Sequence, residues 1–157
     1  MSASSDQIAA FLLEEGHKAR VDDIDPENGL TAIHFRARGR TFTVVVSERD
    51  PHFFSISSTY DLPDWARDEA QSAPVLVELQ SIYKSIKFFY TDNGAAIVAA
   101  VEQISSDATE FCSQFWRLVS IVRDGANAAL ERIIDHSETK AAADKFINDF
   151  MKGRGGN

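Results

Sequence analysis

Residues Ser105 to Ile134 read SSDATEFCSQFWRLVSIVRDGANAALERII, and this stretch decides the fold. Ser105, Ser106 and Asp107 supply a helix N-cap, and Glu110 falls in the first turn, where a carboxylate meets the positive end of the helix. Apolar residues recur at Phe111, Phe115, Leu118, Val122, Ala126, Ala129 and Ile133, one stripe at helical spacing. A second stripe runs beside it through Cys112, Trp116, Val119, Leu130 and Ile134. Together they exceed the roughly 100° face that a surface helix buries. The helix is therefore expected to pack on a sheet and on a second apolar surface. Two covers suggest themselves: a terminal helix carrying Phe146 and Phe150, or a second copy related by a two-fold axis. In the second case Trp116, Val119 and Leu130 are the candidate dimer or partner contacts.

Working outward, Ile86 to Thr91 and Ala95 to Gln103 flank Asp92-Asn93-Gly94, and Asn-Gly between two strand-like runs is a strong hairpin signal. Leu30 to Arg38 alternates, with Ile33 and Phe35 on one side and His34, Arg36 and Arg38 on the other, which marks a half-buried antiparallel strand. Lys18 to Ile24 precedes it across the turn Asp25-Pro26-Glu27-Asn28-Gly29. Thr41 to Ser47 and His52 to Tyr60 follow, joined by turns at Gly39-Arg40 and Glu48 to Pro51. Ser4 and Gln7 fit a capping box that opens a first helix with Ile8, Phe11 and Leu12 on its buried face and Gly16 at its end. Between the strand groups, Asp64 is an N-cap candidate before Trp65. Pro74 is expected to break or restart that helix, whose apolar face is Val75, Leu76, Leu79, Ile82 and Tyr83.

The order is α-ββββ-α-ββ-α. Strands joined by tight turns cannot pair in parallel, so the class is α+β, a mainly antiparallel sheet with flanking helices. One domain is expected over residues 4–136, followed by a short terminal helix and a mobile, Gly-rich tail over 137–157. The expected core is Ile33, Phe35, Phe42, Val44, Phe54, Ile56, Leu79, Ile82, Phe111, Phe115, Leu118 and Val122. Adjacent side chains on a strand point to opposite faces. In Phe53-Phe54 and Phe88-Phe89, one ring of each pair can enter the core while its neighbour looks elsewhere. Phe53 and Phe89 therefore join the candidate partner contacts.

The chain has a formal net charge of −8, which disfavours nucleic acid and anionic membrane surfaces but not a basic or amphipathic protein partner. A single cysteine excludes an internal disulfide framework. No leader-like segment and no long apolar run stand in the sequence, so the expectation is a soluble cytoplasmic protein. Asp23 to Gly29 has the look of a calcium loop, but position six from Asp23 is Asn28 and position twelve is His34, so a solvated turn is expected. His17, His34, His52 and His136 lack metal-ligand spacing, and Cys112 sits on an apolar helix without a cationic neighbour in sequence. No catalytic residue, metal or cofactor is therefore assigned. The basic run His34, Arg36, Arg38, Arg40 has two readings, an anion or acidic-partner patch and neutralisation across the hairpin by Asp22, Asp23 and Asp25, and the second is the expectation.

Two segments carry a family resemblance: Ile8-x-x-Phe11-Leu12-x-x-x-Gly16, and Ile86-Lys-Phe-Phe-Tyr-Thr-Asp-Asn-Gly-Ala-Ala-Ile-Val98 ahead of a helix with Phe111 and Phe115. With the element order, they resemble the YbjN-like proteins, candidate regulators of sensory transduction, whose fold is similar to type III secretion chaperones. The resemblance spans about residues 4 to 135. Glu78 to Tyr83 departs from it where the family often has an Asn-rich stretch. It implies a small acidic homodimer that binds protein or peptide segments without catalysis, chaperone-like or regulatory. A structural or assembly subunit with one fixed partner is the alternative, and a small-ligand-binding protein the third reading.

Overall fold

The computed structural model describes residues 3–64, 67, 69–83, 85–91 and 94–154. Three helices and six strands follow the expected order: α1 (Ala3–Glu14), β1 (Ala19–Asp25), β2 (Leu30–Ala37), β3 (Arg40–Ser47), β4 (Phe53–Asp61), α2 (Glu69–Ile82), β5 (Lys87–Tyr90), β6 (Ala96–Ile104) and α3 (Ala108–Arg154). The strands form one sheet in the order β1-β2-β3-β4-β6-β5, antiparallel at every pairing.

Period-two alternation sets the layers. Ile33, Phe35, Phe42, Val44, Val46, Phe54, Ile56, Phe88, Ile97, Ala99 and Val101 are buried on one face, together with Ile8, Leu12, Leu79, Phe111, Phe115 and Val122 of the helices. The aromatic centre is tightly knit: Phe54 stacks on Phe111 at 4.5 Å, Phe35 on Phe42 at 5.5 Å, and Phe11 meets Phe115 edge-on at 5.3 Å. Ile82, expected in this core, is 53 % exposed, because α2 turns its Val75, Leu76 and Leu79 inward and ends at Ile82.

Several expectations need correction. Ser4 lies inside α1 rather than capping it, and Gln7 sends its side-chain amide to Thr109 Oγ1 at 2.7 Å. The β2–β3 turn is Arg38-Gly39, both at positive φ, with Ala37 opposite Arg40. Helix α2 runs through Pro74 without a break. Trp65, Ala66, Asp68, Asp92 and Asn93 lie outside the described residues. The separate terminal helix is absent, since α3 continues unbroken from Ala108 to Arg154. The cap of α3 does form: Asp107 Oδ1 accepts the Glu110 N–H at 2.9 Å, and Glu110 Oε2 accepts the Ser106 N–H at 2.6 Å.

Within its own chain α3 also meets α1 and α2. Phe11 and Gln7 of α1 reach Phe115 and Thr109, and Glu78 of α2 pairs with Arg132 at 2.5 Å. Past Ser137, every described side chain of α3 is exposed.

Candidate functional site: the bare face of the sheet

Among the described residues, all three helices pack against one face of the sheet and the other lies open. Backbone register fixes what that open face presents, as rows running across the strands. One row is Arg20, His34, Thr43, Ser57, Ala100 and Lys87, each opposite the next. The adjacent row is Asp22, Ala32, Val45, Ser55 and Glu102. Flanking these, Phe53 stands opposite Ile104 at one margin, and Phe89 opposite Val98 at the other. Apart from Ala32 and Ala100, too short to reach solvent, these side chains are half-buried or exposed.

The face is chemically graded. At the β5–β6 side, Ile104 is 79 % and Phe89 49 % exposed. Six residues of β6, about 20 Å, separate Val98 from Ile104. Small hydroxyls, Ser55 and Ser57, and the Lys87–Glu102 ion pair fill the interval. Cross-strand apolar pairs of this kind are unusual on a solvated face, which ordinarily carries polar residues.

At the β1–β2 side the character changes to cationic. His17, Lys18, Arg20, His34, Arg36 and Thr41 line a depression of about 560 Å³. The expected neutralisation by three aspartates is only partly realised. Asp22 accepts from Arg20 Nε at 2.8 Å and lies 3.4 Å from His34 Nε2. Asp23 Oδ1 instead accepts the Thr31 hydroxyl at 3.1 Å. Asp25 is consumed inside its own turn, where Asn28 donates to both carboxylate oxygens, and those bonds hold its carboxyl below the usual 3.8. Among the described residues, neither Lys18 nor Arg36 has an acidic partner within ion-pairing distance.

The remaining candidates fall elsewhere. Val119, at 1 % exposure, is core and has no surface to offer a partner. Trp116 is half-buried on the helical side: its indole N–H donates to Glu15 Oε2 at 3.2 Å, and its ring lies 4.9 Å from His17. Leu130 is partly buried against the core. Only Phe53 and Phe89 reach the bare face. Arg40 is turned away from it, over the Tyr60 ring at 4.3 Å and onto Asn127 at 3.2 Å. Burial pushes the Cys112 thiol up to about 11, far from the thiolate a nucleophile needs. Three histidines hold structural bonds: His17 to the Arg36 carbonyl at 2.9 Å, His34 to Thr43 Oγ1 at 2.9 Å and His52 to the Ser106 carbonyl at 2.9 Å. Among the described residues, no three His, Cys, Asp or Glu cluster to hold a metal, and no helix is long and apolar enough to cross a membrane.

Comparison with solved structures gives the fold. YbjN of E. coli, a candidate transcription regulator, superposes with a TM-score of 0.54 at 14 % identity, over 81 % of this chain and 89 % of its own. The fold is YbjN-like. An uncharacterized protein of Methanothermobacter thermautotrophicus matches with a TM-score of 0.52 at 10 % identity, over 87 % of this chain and 98 % of that one. No protein-family model matches the sequence, and no curated protein matches it.

Proposed function

We infer that this chain is a non-catalytic protein-binding module of the regulatory or chaperone-like kind. It takes an extended segment of a partner protein on the bare face of its sheet, with Phe53 and Phe89 as contacts. The observation that carries this reading is the exposure of Phe89 and Ile104 in cross-strand apolar pairs on a face that none of the described helices covers. The small hydroxyls between the pairs let a partner backbone approach closely. The YbjN-like fold and that neighbour's description as a candidate regulator support a binding role rather than chemistry. An acidic, soluble, cytoplasmic protein fits the same reading. A second copy of the chain is the competing occupant.

Selection from a random-peptide display library tests the reading. Selected peptides should bind the Phe53→Ser/Phe89→Ser variant at least tenfold more weakly than the wild type, in keeping with the loss of two interface anchors. Equal binding to both proteins would refute docking on this face. Sedimentation equilibrium decides the competing case: a species of twice 17.4 kDa that Phe89→Ser dissociates would assign the face to a homodimer.

A further inference from the structure

We propose that the cationic end of the bare face selects the partner: it receives an acidic polypeptide segment whose carboxylates stand at alternate positions. This rests on the reading of the bare face as a docking surface and supplies the chemistry of what docks.

The argument is one of charge complementarity and spacing. The chain carries −8 overall, yet Lys18, Arg20 and Arg36 gather with His17 and His34 around one depression. Asp22 is the one carboxylate paired there among the described residues, and it is divided between Arg20 and His34. Among the described residues, Lys18 and Arg36 keep no counter-charge within ion-pairing distance. A solvated sheet face used only for solubility would intersperse both signs, as the Lys87–Glu102 pair does at the far side. The cations also fall in two rows. Arg20 is opposite His34, and Ala19 opposite Phe35, so Lys18 and Arg36 occupy the next open-face row. Same-face rows lie two residues, about 6.8 Å, apart along a strand. Side chains i and i+2 of an extended segment have that same separation. A carboxylate at i meets Lys18 and the guanidinium of Arg36, which can accept it in a two-pronged, charge-assisted contact, and the carboxylate at i+2 comes to Arg20. Thr41, opposite Arg36, adds a hydroxyl at the inner wall. The polypeptide is favoured over nucleic acid because the patch is short, spans two rows, and sits on a strongly anionic protein that repels a long polyphosphate.

Fluorescence anisotropy at low salt with a labelled twelve-residue peptide of alternating Ser and Glu provides the test. Wild type should bind it, and Lys18→Glu/Arg36→Glu should weaken binding at least tenfold, since like charges replace both free cations. The milder Lys18→Gln/Arg36→Gln variant should weaken it several-fold. Circular dichroism checks that each variant is folded. Phe53→Ser/Phe89→Ser should leave this peptide bound within about twofold, which separates this proposal from the wider docking reading. If peptides from library selection ignore that Phe variant while the acidic peptide still depends on Lys18 and Arg36, the cationic site stands and the wider reading falls. The proposal is overturned if the charge-reversed protein binds the acidic peptide as tightly as wild type. It is equally overturned if single-stranded RNA of the same charge binds tenfold more tightly through these residues. Dissociation of a wild-type dimer by the charge reversal would also overturn it, making the patch an interface between copies.

Discussion

Gly125 sits in the middle of α3, where glycine costs about 1 kcal/mol relative to alanine. The reason lies across the helix. A Cβ at this position would stand 2.1 Å from Ile86 Cδ1, 3.5 Å from Ile86 Cγ1 and 3.6 Å from Phe88 Cζ. Carbon atoms pack comfortably at about 3.5–4.0 Å. The last two contacts are thus ordinary, and the first requires Ile86 to move. Ile86 is 4 % exposed, so its methyl has little room. Gly125→Ala therefore gains about 1 kcal/mol of helix propensity and loses about 1–3 kcal/mol to overpacking, a net destabilisation of roughly 1 kcal/mol. Ile86→Val removes the clashing methyl and alone costs about 0.5–1.5 kcal/mol. In the double variant the new Cβ fills the vacated space and the propensity gain is realised. The double variant should then equal or exceed wild type in stability, a coupling of about 1.5–2.5 kcal/mol once both single costs are relieved. Urea unfolding of the four proteins, followed by tryptophan fluorescence and far-ultraviolet circular dichroism, measures the cycle. Additivity within about 0.5 kcal/mol would refute the reasoning. So would a Gly125→Ala protein stabilised by the full helix-propensity value.

Arg38 occupies the left-handed region at φ 51 beside Gly39, in a two-residue hairpin that favours Asn-Gly. Arg38→Asn should raise stability by roughly 0.5–1 kcal/mol in urea unfolding, and a loss of stability would count against the turn geometry. Bonds from Ser106 hold Glu110 below its usual 4.5, so its contribution is present above that value and lost as pH falls through the lower, folded value. The stability gap between wild type and Glu110→Gln should accordingly shrink in acid; a gap constant from pH 7 to pH 2 would show the cap to be electrostatically inert. Residues 138–157 should be dispensable to the domain, because the described side chains past Ser137 are exposed. Truncation after Ser137 should leave the thermal midpoint within a few degrees, and cooperative unfolding lost on truncation would place the domain boundary further along.

What the sequence discloses here is set by the range of the physics involved. Alternation is local, so Ile33 and Phe35 against His34 and Arg36, and the split of Phe53 from Phe54 and Phe88 from Phe89, read correctly. The cap at Asp107 and Glu110 is local as well. The surroundings of α3 are not: nothing in the periodicity of Trp116 says that its indole N–H will meet Glu15 and its ring His17 and Phe35. Gly125 has the same character, since the close approach of Ile86 joins segments far apart in sequence. Helix α2 continues through Pro74 against local expectation, with Val75, Leu76 and Leu79 held inward by the core. The basic run is legible in the sequence, but its pairing is not. Three aspartates near the hairpin look sufficient to neutralise it, but Asp23 and Asp25 are spent on Thr31 and Asn28, and only the folded register reveals that Lys18 and Arg36 are left over.

The proposed docking on the face of this sheet, rather than at its edges, fits how the edges are built. A partner strand needs a flat row of free backbone groups. On β1, the outer strand at one side, the register shifts between Asp23 and Asp25, and Arg20, Asp22 and Asp23 line the strand with charge. At the other side β5 is only four residues long, and its pairing with β6 stops at Lys87 opposite Ala100. That leaves Val101 to Ile104 of β6 without a strand on that side. There the Lys87–Glu102 ion pair crosses the gap, and the Gln103 amide donates to the Ile104 carbonyl at 3.1 Å. Short length, a bulge, charge and side-chain capping are the devices by which sheets discourage strand addition. On the bare face Phe89 and Ile104 stay exposed on either side of the Lys87–Glu102 pair, and among the described residues Lys18 and Arg36 have no counter-charge within ion-pairing distance. A partner that buries apolar side chains at one side of that face and carboxylates at the other meets the two features the fold leaves unsatisfied.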